Sequence, residues 1–105
     1  METQPLGDIQ EISQGVFEAH VLVSNELGLH ARPAALVAQT AQLYAAHVSL
    51  HTETQQVDAK SILDILSLAA AKGTMLTIRS QGANARECVI AIAGLVRTQF
   101  KEGGM

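Results

Sequence analysis

The sequence predicts an α+β fold whose elements follow the order β-α-β-β-α-β-α. Four short stretches alternate apolar and polar residues, which predicts strands, and three longer stretches carry apolar residues at helical spacing. Turn-forming residues, mostly glycine and asparagine, separate these stretches. Because the three helices can cover one side of a four-stranded sheet, the pattern favours an open-faced sandwich, although it also allows other split βαβ arrangements.

The first half of the domain is predicted to be a strand followed by a helix. The strand covers residues 17–23, and the helix runs from His30, or the residue after it, to about Ala45. Pro33 fits this helix start, because a proline in the first turn has no intrahelical N–H bond to lose. The predicted inward residues are Ala19, Val21 and Val23 of the strand and Leu36, Val37, Thr40, Ala41 and Tyr44 of the helix.

The second half is predicted to contain three strands and two helices. The strands cover residues 47–52, 56–59 and 74–80. Ser61 and Asp64 have the spacing of a capping box at the start of the second helix, and Asn84 is the expected N-cap of the last one. The predicted inward residues are Val48 and Leu50 of the second strand and Val89, Ile92, Ala93, Val96 and Phe100 of the last helix.

Composition sets the broad class of the protein. The chain has 105 residues, of which 48% are hydrophobic but only 3% aromatic, so one small domain with an aliphatic core is expected. A net charge of −3 offers no basis for nucleic-acid binding. Cys88 is the single cysteine, and the chain has no membrane-length apolar run or leader. We therefore expect a cytoplasmic protein that makes no direct membrane contact.

The predicted domain does not include the two ends of the chain. Residues 1–16 are polar, lack a clear period and are predicted to be a flexible extension, a linker or an expression remnant. Four of the ten acidic residues lie in the first twenty positions, which contain no Lys or Arg. The domain is assigned to residues 17–102, and residues 103–105 form a short tail.

The segment Gly28-Leu29-His30-Ala31-Arg32-Pro33 combines groups that suit an anion. A helix start presents unpaired N–H groups and the positive end of the helix dipole. Arg32 lies in that first turn, and its planar group of N–H donors suits phosphate oxygens. His30 stands at the opening itself. We interpret this combination as a histidine that carries a phosphoryl group.

Two segments resemble one known family. Residues 25–35, NELGLHARPAA, are similar to the active-site segment of HPr, the histidine-containing phosphocarrier family of the bacterial sugar phosphotransferase system. Residues 59–63, AKSIL, are similar to the regulatory-serine segment of that family, and the separation of His30 and Ser61 fits without a gap. The resemblance covers approximately residues 17–100.

The resemblance implies a function and a chemistry. The fold would be the HPr-like open-faced sandwich with an antiparallel four-stranded sheet and three helices on one face. His30 would accept the phosphoryl group through Nδ1 from phosphorylated Enzyme I and pass it to sugar-specific IIA proteins or domains. The N–H groups near Ala31 and Arg32 and the Arg32 guanidinium would hold the phosphate. The chain would be a monomeric carrier that needs no cofactor and turns over only with its partners.

The resemblance also implies a docking surface and a second modification site. Leu29, Ile62, Leu63 and Leu66 could form an apolar patch with Lys60 beside it, and the alternative is that Ile62, Leu63 and Leu66 belong to the core. Ser61 is a candidate for regulatory phosphorylation by an HPr kinase/phosphorylase. The family often has glycine within the segment that reads Leu-Ala-Ala-Ala at residues 68–71 here, so we expect a longer second helix.

Two other functions compete with the carrier. One is a regulatory binding module of the same fold, whose phosphorylation state signals carbon or nitrogen status. The other is a small-molecule-binding α+β domain, which leaves the spacing of His30, Arg32 and Pro33 unexplained. His47 and His51 share one face of a predicted strand, and together with His20 they could suggest a metal site. No Cys or carboxylate completes a metal-ligand set, so no metal site is expected.

Overall fold

The structure is a computed structural model that describes residues 9–101. Residues 1–8 and 102–105, with the predicted C-terminal tail and half of the predicted extension, lie outside the described residues. The elements are β1 (Gln10–Ser13), β2 (Val16–Leu22), α1 (Ala31–Gln42), β3 (His47–His51), β4 (Gln56–Asp58), α2 (Ile62–Ser67), β5 (Met75–Gln81) and α3 (Ala85–Arg97).

The strands form one antiparallel sheet in the order β1-β2-β5-β3-β4. Helices α1 and α3 pack against each other, α3 also packs on the central strands, and α2 packs against α1. The helices thus cover one face of the sheet and leave the other open. This confirms the predicted α+β open-faced sandwich with three helices.

The sheet has five strands where four were predicted. The additional strand β1 pairs with the first residues of β2, from Val16 to Glu18. All four β1 residues are exposed, so their side chains contribute no apolar period that a sequence pattern could show. The prediction of an irregular chain before residue 17 is therefore wrong for residues 10–13, which form β1. The division of the chain into extension, domain and tail stays a prediction.

The core lies between the covered face of the sheet and the helices. All inward residues predicted for the strands and for α3 are buried. The inner face of α1 differs, because Leu36, Thr40 and Tyr44 are only half-buried. The small residues of α1 face the core instead, namely Pro33, Ala34, Val37, Ala38 and Ala41. Their size allows the helix to approach its neighbours closely.

Two predicted helix ends need correction. Helix α2 stops at Ser67 and does not run on through the alanines, because Ala69 adopts a left-handed conformation with φ of 49°. Asn84 does precede α3, but it is also left-handed and its side chain makes no capping hydrogen bond. The Ser61 cap is confirmed, since the Asp64 N–H donates to Ser61 Oγ at 3.1 Å.

Ala69 provides a test of the left-handed turn after α2. A side chain at positive φ is strained relative to glycine, so Ala69→Gly should raise the free energy of unfolding by about 0.5–1 kcal/mol. Ala45→Gly is the matched control, because Ala45 is also exposed and has no positive φ. Ala45→Gly should lower the free energy of unfolding. Urea unfolding of both variants measures the difference, and a destabilised Ala69→Gly contradicts the assigned strain.

The open face of the sheet carries a polar network. Glu18, although it lies on this face, is buried and accepts hydrogen bonds from Arg79, from Nε at 2.8 Å and from Nη2 at 2.6 Å. His51 Nε2 lies 2.8 Å from Ser49 Oγ on the same strand. Burial, followed by the nearby Arg79 charge, lowers the pKa of His51.

The lowered pKa of His51 predicts a pH dependence of stability. The unfolded chain binds this proton more readily than the folded one, so the stability contribution is present above about pH 6.5 and falls as the pH drops towards the folded pKa. Thermal unfolding between pH 7 and pH 5 should show a steeper loss for the wild type than for His51→Gln. Equal slopes for the two proteins would contradict this assignment.

Candidate functional site

His30 occupies the N-cap position of α1. Its backbone is extended, with φ of −80° and ψ of −168°, and its carbonyl accepts a hydrogen bond from the Ala34 N–H at 2.9 Å. The side chain is half-buried and makes no capping hydrogen bond. The helix therefore uses the backbone of His30 but not its ring, which leaves the imidazole available for chemistry.

The first turn of α1 offers backbone N–H groups next to this ring. Ala31 and Arg32 are both exposed. Within residues 9–101, the Ala31 N–H makes no hydrogen bond. Pro33, the third helical residue, is buried and has no N–H. The first two backbone N–H groups of this helix therefore belong to Ala31 and Arg32, the residues directly after His30.

The Arg32 guanidinium reaches across to the end of α3. Its Nη2 donates to the Phe100 carbonyl at 3.0 Å, and Gln99 Nε2 donates to Ser24 Oγ at 3.3 Å nearby. Gln99 and Phe100 both have positive φ, so the chain turns sharply after α3. Sequence analysis identified Phe100 only as a core residue, since a backbone carbonyl has no sequence signal. The site thus includes the turn after α3.

The loop between β2 and α1 is built around Gly28. Its φ is +66°, and an added Cβ would lie 2.3 Å from the Ala70 carbonyl oxygen. Asn25 Nδ2 donates to the Gly28 carbonyl at 2.8 Å, and the Leu29 N–H donates to the Ala70 carbonyl at 2.9 Å. Only glycine permits this contact between two backbones. The residue before His30 is thereby held by a distant segment.

Gly28→Ala tests this contact. The added methyl group would meet backbone atoms and force an unfavourable φ, so the free energy of unfolding should fall by about 2–4 kcal/mol. Gly94→Ala is the control, because nothing lies within 4 Å of its added Cβ in α3. The control should be stabilised by up to about 1 kcal/mol through helix propensity. Chemical denaturation measures both, and an unchanged Gly28→Ala contradicts the contact.

The predicted docking residues divide into three groups. Leu29 is 4% exposed and packs in the core, which contradicts a surface role for it. Ile62, Leu63 and Leu66 of α2 are 40%, 78% and 36% exposed, so they are not the core residues of the alternative interpretation. Lys60 is half-buried, and its Nζ donates to the Tyr44 carbonyl at 2.9 Å. It lies at the C-terminal end of α1.

Ser61 and His30 lie at opposite ends of α1. Gln42 Nε2 donates to the Lys60 carbonyl at 2.9 Å, which places the start of α2 beside the last turn of α1. The helix between the two sites has 12 residues, a length of about 18 Å. Ser61 acts as an N-cap in the structure, and its phosphorylation stays a prediction.

The remaining titratable candidates lie away from His30. His20, His47 and His51 belong to strands β2 and β3, on the open face of the sheet. No group of three or more His, Cys, Asp or Glu residues within the described chain could hold a metal ion. Cys88 is buried in α3, and burial raises the pKa of its thiol. None of the helices over residues 9–101 has the length and apolarity to cross a bilayer.

Comparison with known proteins shows the family of this chain. Residues 17–98 match the family described as "PTS HPr component phosphorylation site". The chain belongs to the HPr family. The matched region contains both His30 and Ser61 and begins one residue after the start of β2. As a member of this family, the protein is a phosphocarrier of the phosphotransferase system.

Individual relatives support the assignment. The phosphocarrier protein HPr of Xylella fastidiosa strain 9a5c is 34% identical over 87 residues, which cover 83% of this chain and 98% of the relative. The crystal structure of HPr from Bacillus anthracis is 41% identical, with a TM-score of 0.74 over 77% of this chain and 96% of that one. Crh of Bacillus subtilis, described as a dimer with a swapped domain, is 36% identical, with a TM-score of 0.65 over 78% of this chain and 94% of that one.

Proposed function

We propose that His30 is the phosphoryl acceptor of this HPr protein and that phosphorylated Enzyme I is the donor. The observation that carries the proposal is the position of His30 at the N-cap of α1 with a ring that takes no part in capping. The imidazole thus stands where the first amides of a helix meet solvent. IIA proteins or domains then receive the group in sugar uptake.

The transfer needs only a nucleophile and well-placed donors. The neutral His30 ring attacks phosphorus through Nδ1, a new N–P bond forms, and the bond to the donor protein breaks. The same steps in reverse order deliver the group to the next protein. Because phosphoryl transfer depends mostly on positioning and charge neutralisation, a shallow site is sufficient.

The start of α1 supplies the neutralising groups. The N–H groups of Ala31 and Arg32 and the positive end of the helix dipole favour a dianionic phosphoryl group at this point. The Arg32 guanidinium lies in the same turn, and its planar set of N–H donors suits phosphate oxygens. His30, Ala31 and Arg32 together form the proposed phosphate site.

Partners dock on the exposed residues of α2. Ile62, Leu63 and Leu66 offer an apolar surface on a helix that packs against α1, the helix that His30 precedes. Lys60 borders this surface at the far end of α1. The protein acts in the cytoplasm as a carrier without an enzymatic activity of its own. A monomer is sufficient, because every group proposed for the phosphate site comes from one copy of the chain.

The test is phosphorylation of the intact protein by Enzyme I and phosphoenolpyruvate. Mass spectrometry should show one acid-labile phosphate on the wild type and none on His30→Ala. His47→Ala is the matched control, since His47 is an exposed histidine on the open face of the sheet. The control should be phosphorylated as fully as the wild type. If His30→Ala is phosphorylated as fully as the wild type, the acceptor is a different residue.

A further inference from the structure

The segment between α2 and β5, residues 68–74, contacts both ends of the loop that precedes His30, residues 23–29. At the end near His30, the Leu29 N–H donates to the Ala70 carbonyl at 2.9 Å. At the other end, the Val23 N–H donates to the Thr74 carbonyl at 2.9 Å and the Gly73 N–H donates to the Val23 carbonyl at 2.7 Å. Three backbone hydrogen bonds therefore connect this linker to the two ends of residues 23–29.

The left-handed conformation of Ala69 directs the linker towards the loop. Helix α2 stops at Ser67, and the Ala69 N–H still donates to the Leu66 carbonyl at 3.1 Å. With φ of 49° at Ala69, the chain then reverses, and the Ala70 carbonyl accepts from Leu29. If Ala69 were helical, that carbonyl would point along the helix axis towards the next turn.

The side chain of Ala69 makes no contribution to the core. Ala69 is exposed and lines an open cavity of about 460 Å³ together with Gly73 and Thr74. Its two neighbours in sequence, Leu68 and Ala70, are buried at 6% and 5% exposure. Position 69 therefore influences the loop through backbone conformation, and substitutions there change φ preference without changing core volume.

We propose that residues 68–74 are a positioning element for His30, with Ala69 as the residue that sets their conformation. The inference rests on the proposed function of His30 and extends it, because it assigns a second segment of the chain to the phosphoryl-transfer site. The linker hydrogen-bonds to the loop through its backbone. It acts by holding Leu29, the residue next to the acceptor, against Ala70.

The test compares two substitutions at position 69. Ala69→Val disfavours the left-handed conformation because valine is β-branched, whereas Ala69→Gly permits it. Ala69→Val should lower kcat/KM for phosphorylation by Enzyme I at least tenfold, since small displacements of a reacting group carry large rate effects. Ala69→Gly should remain within twofold of the wild type. Ala83→Val, an exposed alanine beyond the far end of β5, should also remain within twofold.

Two measurements on the unphosphorylated protein separate this inference from the proposed function. In Ala69→Val, amide exchange at Leu29 should accelerate at least tenfold and the NMR chemical shifts of the His30 ring should change, while both stay unchanged in Ala83→Val. These two measurements do not use Enzyme I. Failure of Enzyme I to label the wild type would therefore overturn the proposed function alone. A folded Ala69→Val with wild-type Leu29 exchange and unchanged chemical shifts of the His30 ring overturns the positioning role.

Folding of the variant is verified before these comparisons. Ala69→Val is assayed at a temperature well below its unfolding midpoint, and circular dichroism should match the wild type. If it does not fold, Ala69→Thr replaces it, because threonine is also β-branched and its hydroxyl suits an exposed position. Wild-type exchange and transfer rates in folded Ala69→Thr would equally overturn the role of residues 68–74.

Discussion

The hydrogen bond from the Leu29 N–H to the Ala70 carbonyl is the contact on which the proposed site depends. The seven residues between β2 and His30 contain no regular element of their own. Fixing a residue of such a loop costs about 1–2 kcal/mol of conformational entropy, so the loop needs external partners. Ala70 supplies one next to His30, and Gly28 makes the approach sterically feasible because it lacks a Cβ.

This arrangement separates the rigid part of the site from its reactive part. Leu29 and Ala34, on either side of His30, are buried, and the carbonyl of His30 itself is bonded to Ala34. The ring remains half-buried and outside the capping bonds. A carrier must present its phosphoryl group to another protein, so it needs an accessible ring on an immobile backbone. A deep pocket would position the ring equally well but would exclude the partner.

The sequence predicts those parts of the fold that depend on side-chain burial. The alternating residues of β2 and β3 and the apolar stripe of α3 are buried as expected, because the hydrophobic effect acts on the same residues that the periods identify. Backbone contacts have no such signal. Strand β1 pairs through its main chain, the Phe100 carbonyl could belong to any residue type, and Ala69 turns left-handed although alanine favours helices. The family often has a glycine near this position, and that glycine is the sequence feature that indicates a left-handed turn.

The bond between Arg32 and the Phe100 carbonyl is compatible with a phosphate-binding role for Arg32. A carbonyl is a neutral acceptor, and a hydrogen bond from a guanidinium to a phosphoryl oxygen gains from charge on both partners. Arg32 is exposed, so moving between the two acceptors requires no repacking of the core. The turn after α3 therefore positions the guanidinium at the start of α1. The phosphoryl group proposed for His30 would compete for the same donors on favourable terms.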